Sequence, residues 1–207
     1  MDTNSGYKDR ALSSLSGNWA KAVVALLIFL VIIYSADIVL TMTLGADSAA
    51  TMSLSYLWMF LCVPLTWGIY IFYLDIARGN ELSYSKLFDG YKDFLRIFTA
   101  YLLTYLCMFI GILLLFVPGI IVALMLSQTS FILKDQPELS AIEAIKQSAD
   151  MMKGHKMDLF LLWLSFIGWM LLSLLSVGLG FLLLMPYMQT TFAHFYEDLK
   201  EEYALSA

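Results

Sequence analysis

The sequence is poor in everything a water-soluble enzyme uses. Only 14% of its 207 residues are charged, against 60% hydrophobic, where a soluble domain averages about 25% charged and about 45–50% apolar. Its two cysteines, Cys62 and Cys107, lie inside apolar stretches, so neither a disulfide framework nor a CxxC site is available. The net charge of −5 excludes the basic surface that nucleic acid requires. No HExxH, GxSxG, Walker loop or GxGxxG occurs. Without these constellations the chain is expected to be no enzyme and to need no cofactor or metal.

What is present is long apolar runs, suited to lipid tails rather than to a core. Six are expected to span: Ala22–Leu44, Leu54–Ala77, Ile97–Val117, Ile120–Leu133, Leu159–Val177 and Leu179–Phe195. The fourth is shorter than the roughly 17–25 residues that cross a bilayer, so it either extends into its flanks or re-enters. The first is too long for a signal-peptide apolar region and reads as a permanent span. Pro118-Gly119 reads as a tight turn between the third and fourth spans.

Every lysine and arginine falls before Ala22, between Arg78 and Arg96, between Lys134 and Lys156, or at Lys200. Six spans place all of these on one side, as the positive-inside rule demands of the cytoplasmic face. The expected architecture is an all-α polytopic bundle of three hairpins with both termini cytoplasmic. Two polar-apolar segments are expected as amphipathic interfacial helices on that side. One carries Tyr84, Leu87, Phe88, Tyr91, Phe94 and Leu95 on a face. The other follows a Ser140–Glu143 capping box and carries Ile142, Ile145, Ala149 and Met152.

A repeat is also legible. Gly17-Asn18-Trp19, Gly90-Tyr91-Lys92 and Gly154-His155-Lys156 each open a hairpin, and Phe72, Phe131 and Phe195 each close one beside acids. This gives three units, 10–78, 82–135 and 140–198, within a single membrane domain. Gly90, Tyr91, Lys92, Gly154, His155 and Lys156 are therefore candidate interfacial or partner-contact residues. Asp37, Gln128 and His194 are the candidate intramembrane polar residues, since polar groups inside a span are costly and mark function. Each has a plainer reading: a hydrated carboxylate near the outer surface, an interhelical hydrogen-bonding amide, and one half of a His–Glu pair that lacks a third ligand.

Taken together, Leu87-Phe88-Asp89-Gly90-Tyr91, Val117-Pro118-Gly119-Ile120, Met151-Met152-Lys153-Gly154-His155-Lys156, Leu164-Ser165-Phe166-Ile167-Gly168-Trp169, Pro186-Tyr187 and Phe195-Tyr196 resemble a bacterial integral membrane family catalogued only as domain of unknown function 975. The layout is more distantly similar to the membrane domain of some glycerophosphodiester phosphodiesterases. Family members often carry Lys and Tyr where this chain has Val122 and Leu124. The resemblance implies a multi-pass protein of the bacterial cytoplasmic membrane and names no activity. The sequence leaves two functions open. The leading one is a non-enzymatic accessory, scaffold or regulator within a membrane complex, partnered by lipids and by another membrane protein or its own copies. The alternative is a small transporter or channel for a small solute or lipid.

Overall fold

The structure is a computed structural model that describes residues 1–206. It is all-helical, with no strand among the described residues. The helices are α1 (Asn4–Leu15), α2 (Trp19–Leu44), α3 (Ala49–Leu61), α4 (Val63–Ala77), α5 (Phe94–Leu114), α6 (Phe116–Leu126), α7 (Thr129–Asp135), α8 (Ala141–Met151), α9 (Lys156–Leu164), α10 (Ile167–Leu175) and α11 (Phe181–Ser206), with a 3-10 segment, Tyr84–Asp93, before α5. Among the described residues, five helical runs are long and apolar enough to cross a membrane: Trp19–Leu44, Ala49–Ala77, Tyr84–Leu113, Phe116–Asp135 and Lys156–Leu175. They mark the chain as a membrane protein. The sixth expected span lies in α11, which runs on into Glu197, Asp198 and Lys200 and is not one of those five.

The fourth run is not short. It begins at Phe116 because Pro118-Gly119 lies inside α6 rather than in a turn. Proline is tolerated there because the first helical turn has no use for its missing N–H. The reversal falls instead at Leu115, in extended conformation. Gly119 has no positive φ. A Cβ on it would lie 2.9 Å from the Ile112 backbone nitrogen, so it is small to let α5 and α6 touch.

The core gathers around α4, α7 and α11. Leu65, Phe72 and Leu74 of α4, Ile132 and Leu133 of α7, and Ala193, Phe195 and Leu199 of α11 are all buried. Phe131 packs against Tyr196 with ring centroids 4.9 Å apart. The other long helices are peripheral: α2 buries only Ala22, Ala25 and Leu26, and α3 only Thr51. Beyond those first turns the α2–α3 hairpin packs on itself, Trp58 donating to the carbonyls of Ile32 and Ile33.

The short segments differ from expectation in which face they bury. On α8 the capping box is present, the Glu143 N–H donating to Ser140 and the Ser140 N–H to Glu143. Its buried stripe, however, is Ala141, Ala144, Ser148 and Met151, while Ile142 is exposed. Of the predicted stripe only Met152 is fully buried. Small residues win because they let the α8 backbone approach its neighbours. The 3-10 segment buries only Leu87 and Gly90, leaving Tyr84, Phe88 and Tyr91 exposed, as is Leu95 at the start of α5. It runs antiparallel to α4, with Lys86 on Asp75 at one end and Tyr91 on Leu61 at the other.

Candidate functional site

Three of the apolar runs are broken partway. The breaks fall at Cys62 between α3 and α4, at Ser127-Gln128 between α6 and α7, and at Ser165-Phe166 between α9 and α10. In a hydrocarbon environment every backbone group freed by a break needs a protein partner. Each break receives one from a short segment distant in sequence. The Tyr91 hydroxyl donates to Leu61 O at 3.0 Å. The Lys8 ammonium, from α1, donates to Ser165 O at 2.9 Å and lies 4.4 Å from the Phe166 ring centroid. Ser148, from α8, donates to Met125 O at 2.8 Å and accepts from the Gln128 N–H at 3.2 Å.

The middle break is the most fully bonded. Ser127 Oγ donates to Leu124 O and Thr129 Oγ1 to Leu126 O. Trp67 of α4 donates to Ser130 O, and Tyr101 of α5 bonds the Ser130 hydroxyl. Because the Ser127 proton is committed to Leu124, its oxygen accepts from the Gln128 amide nitrogen at 2.8 Å. That fixes the orientation of the amide and leaves Gln128 Oε1 buried with no hydrogen-bond partner. Replacing Ser148 by alanine removes both bonds at once. The expected cost is about 2 kcal/mol, within the range for stranding a buried polar group, read as a lower melting midpoint of the purified protein. Ser148→Thr, which keeps the hydroxyl, should retain more stability than Ser148→Val, which does not.

Beside this break lies a cavity of about 680 Å³, between α5, α6, α7 and α9 and closed behind by α4 and α11. Its walls include Tyr101, Thr104, Ala123, Gln128, Trp163 and Gln189. Among the described residues, no charged one lines it. Thr104 Oγ1, like Gln128 Oε1, is buried without a partner. The volume is that of sites which hold small organic ligands.

At one end of the bundle the charges converge. Arg78, past the end of α4, makes a two-pronged contact with Asp135 at 2.8 and 2.6 Å and also reaches Glu197 Oε1 at 2.6 Å. Lys200 and the Tyr196 hydroxyl both reach the same Asp135 oxygen, at 2.6 and 3.0 Å. Burial works against the Arg78 charge, but the hydrogen bonds it donates to Asp135 and Glu197 outweigh that and hold its pKa above the ordinary value. Around this hub Arg10 pairs with Asp198 and Lys86 with Asp75, while Arg96 donates to the carbonyls of Leu133, Gln136 and Leu139.

The three predicted intramembrane polar residues do not form one site. Gln128 is 2% exposed and lines the cavity. His194 is buried in α11 with Nε2 3.0 Å from Ser14 Oγ of α1, and Glu197, its would-be metal-binding companion, is engaged by Arg78. Asp37 is exposed on α2. No group of three metal-ligating acids, histidines or cysteines forms among the described residues. The predicted interfacial residues divide as well. Gly90 allows close approach, since a Cβ there would lie 2.6 Å from Pro64 O, and Tyr91 bonds the first break. Lys92 pairs with Asp89 at the surface. Gly154 has φ +90°, His155 bridges Asp158 and Glu202, and Lys156 begins α9. Sequence reasoning missed Arg78, Asp135, Tyr101, Thr104, Ser148 and Lys8. For the break, the run Ser127-Gln128-Thr129-Ser130 inside an apolar stretch was the available signal.

A family model described as a protein of unknown function (DUF975) matches residues 1–118 and 107–203. The chain belongs to this family. No curated protein and no solved structure matches it. For this DUF975 protein the residues themselves therefore carry the functional argument, and they assemble at the Ser127-Gln128 break and its cavity.

Proposed function

We propose that this protein is a six-span membrane protein that takes a lipid or other small amphipathic molecule into the cavity between its spans, as a small transporter or carrier. The observation that carries this reading is the discontinuous α6–α7 run opening on an uncharged cavity with an unpartnered amide oxygen. Broken helices are tolerated at membrane depth where they are covered by protein or line a cavity, and in transporters such breaks build the binding site. Three of the apolar runs carry such breaks. The test is nanodisc release of the protein from its own membranes, followed by native mass spectrometry. A bound small molecule of defined mass, lost on filling the cavity with Ala123→Trp, supports the reading. A protein without such a molecule, and with full phenotype as Ala123→Trp, sinks it.

The sixth span in this reading is the apolar first part of α11. The cytoplasmic face of a bacterial inner membrane is the charged end, where α1, α8, the Arg78 hub and every basic residue gather, and both termini lie there. Reporter fusions at residues 47 and 178 should read external, and those at 88, 145 and 205 cytoplasmic. A cytoplasmic reading at 178 would remove the sixth crossing. We read the three short segments, each followed by a hairpin, as the repeat units 10–78, 82–135 and 140–198. Supporting this, the closing ends of those units meet at Arg78, Asp135 and Glu197.

One observation favours the second reading, an accessory or regulatory subunit. The α2–α3 hairpin stands largely clear of the core and carries Asp37 exposed on its apolar surface, a suitable arm for another membrane protein or a second copy. A stoichiometric protein partner in the same nanodiscs, lost on Asp37→Leu, would favour it.

A further inference from the structure

We infer that the guest of this cavity is an uncharged single-chain lipid with a hydroxyl or amide headgroup, of the monoacylglycerol or long-chain alcohol type, and that Gln128 recognises its headgroup. This rests on the cavity being a ligand site and adds the chemical class of the ligand. The polar groups in the wall are neutral without exception: hydroxyls of tyrosine, serine and threonine, and the amides of Gln128 and Gln189. A carboxylate or phosphate taken out of water needs a cationic partner, or its desolvation is uncompensated. None is offered, because Arg78, Arg10, Arg96 and Lys8 are each committed to acids or backbone carbonyls elsewhere.

What the wall does offer is matched to a hydroxyl. Gln128 Oε1, an amide oxygen, can only accept, and the amide nitrogen beside it already donates to Ser127 Oγ and Met152 Sδ. Thr104 Oγ1 can donate or accept. A hydroxyl headgroup can give a hydrogen bond to Gln128 Oε1 and exchange another with Thr104 Oγ1, whereas a carboxylate, having no donor, cannot satisfy Gln128 Oε1, and an ammonium finds no carboxylate in the wall to balance its charge. The rest of the lining, with Trp163, Met108, Leu124 and Phe192, suits a hydrocarbon chain. The space admits one chain with a small headgroup rather than a whole two-chain phospholipid.

The experiment uses the intact protein in nanodiscs with three photoactivatable probes of equal chain length: a monoacylglycerol, a fatty acid, and a monoalkyl phosphate. Crosslinked residues are read by peptide mass spectrometry. The expected result is capture of the monoacylglycerol on the wall, at Tyr101 or Trp163, at least tenfold above either anion. Gln128→Leu should lower that capture about fivefold, the loss of one hydrogen bond of about 1 kcal/mol, with Gln128→Asn intermediate and the melting midpoint little changed. Equal or preferred capture of an anion on the same residues overturns the neutral class while leaving the cavity as a ligand site. Strong monoacylglycerol capture that Gln128→Leu does not weaken overturns the assigned role of Gln128. Absence of wall labelling by all three probes overturns both this inference and the ligand-site reading.

Discussion

Arg78→Ala should be the most destabilising single charge removal in the protein, by about 3 kcal/mol, the lower end of the range for breaking a buried ion pair. The Arg78 side chain is 21% exposed and that of Asp135 10%, so the partners left behind are largely out of water. Removing the guanidinium strands two carboxylates, Asp135 and Glu197, side by side. Lys200 still neutralises one Asp135 oxygen, which keeps the cost below the extreme. Arg78→Lys should recover only part of the loss, because an ammonium cannot reproduce the planar two-pronged contact with Asp135 while also reaching Glu197. The measurement is the thermal midpoint of the protein in mild detergent, for each single variant and for Arg78→Met with Asp135→Asn. If the hub acts as a unit, the double variant costs clearly less than the sum of the two singles. Additive losses would show that the three helices are held independently at this point.

The hub also marks where reading the sequence stops. Hydropathy was enough for five of the six expected runs, because lipid solubility is a property of each run by itself. The acids beside Phe72, Phe131 and Phe195 were visible too, but not that Arg78 would join two of them. Ion pairs between residues more than fifty positions apart depend on how the helices dock, which a single sequence does not encode legibly. The breaks were hidden for a related reason. Cys62, Ser127 and Ser165 do not interrupt an average of hydropathy, and their freed backbone groups are compensated by Tyr91, Ser148 and Lys8 from elsewhere in the chain. Pro118-Gly119 misled in the opposite direction. The pair is a strong turn signal, yet proline suits the first turn of a helix and glycine suits a close crossing, and α6 uses both. On α8 the error was to expect the largest apolar side chains to face the core, where Ala141, Ala144 and Ser148 do so.

Gly68 is expected to be the least replaceable small residue. A Cβ built on it would overlap the Leu87 carbonyl, lying 2.7 Å from its carbon and 2.9 Å from Leu87 Cα. These are backbone atoms, so no rotamer change can make room, and α4 would have to separate from the 3-10 segment along its whole contact. Two opposing effects are in play for Gly68→Ala. Helix propensity and reduced unfolded-state entropy favour alanine by about 1 kcal/mol. Overpacking against a fixed neighbour costs about 1–3 kcal/mol and sometimes more, and here separation would also loosen the Lys86–Asp75 pair and the Tyr91 bond to Leu61. The second effect should win, with a net loss of about 2 kcal/mol for Gly68→Ala and failure to accumulate in membranes for Gly68→Leu. Gly168 is the internal control: it is also helical, in α10, and nothing lies within 4 Å of a Cβ placed there. Gly168→Ala should therefore be neutral or slightly stabilising in the same melting experiment. Equal behaviour of the two alanine variants would mean that α4 and the 3-10 segment do not meet at this distance, and the bonding of the first helix break by Tyr91 would fall with that contact.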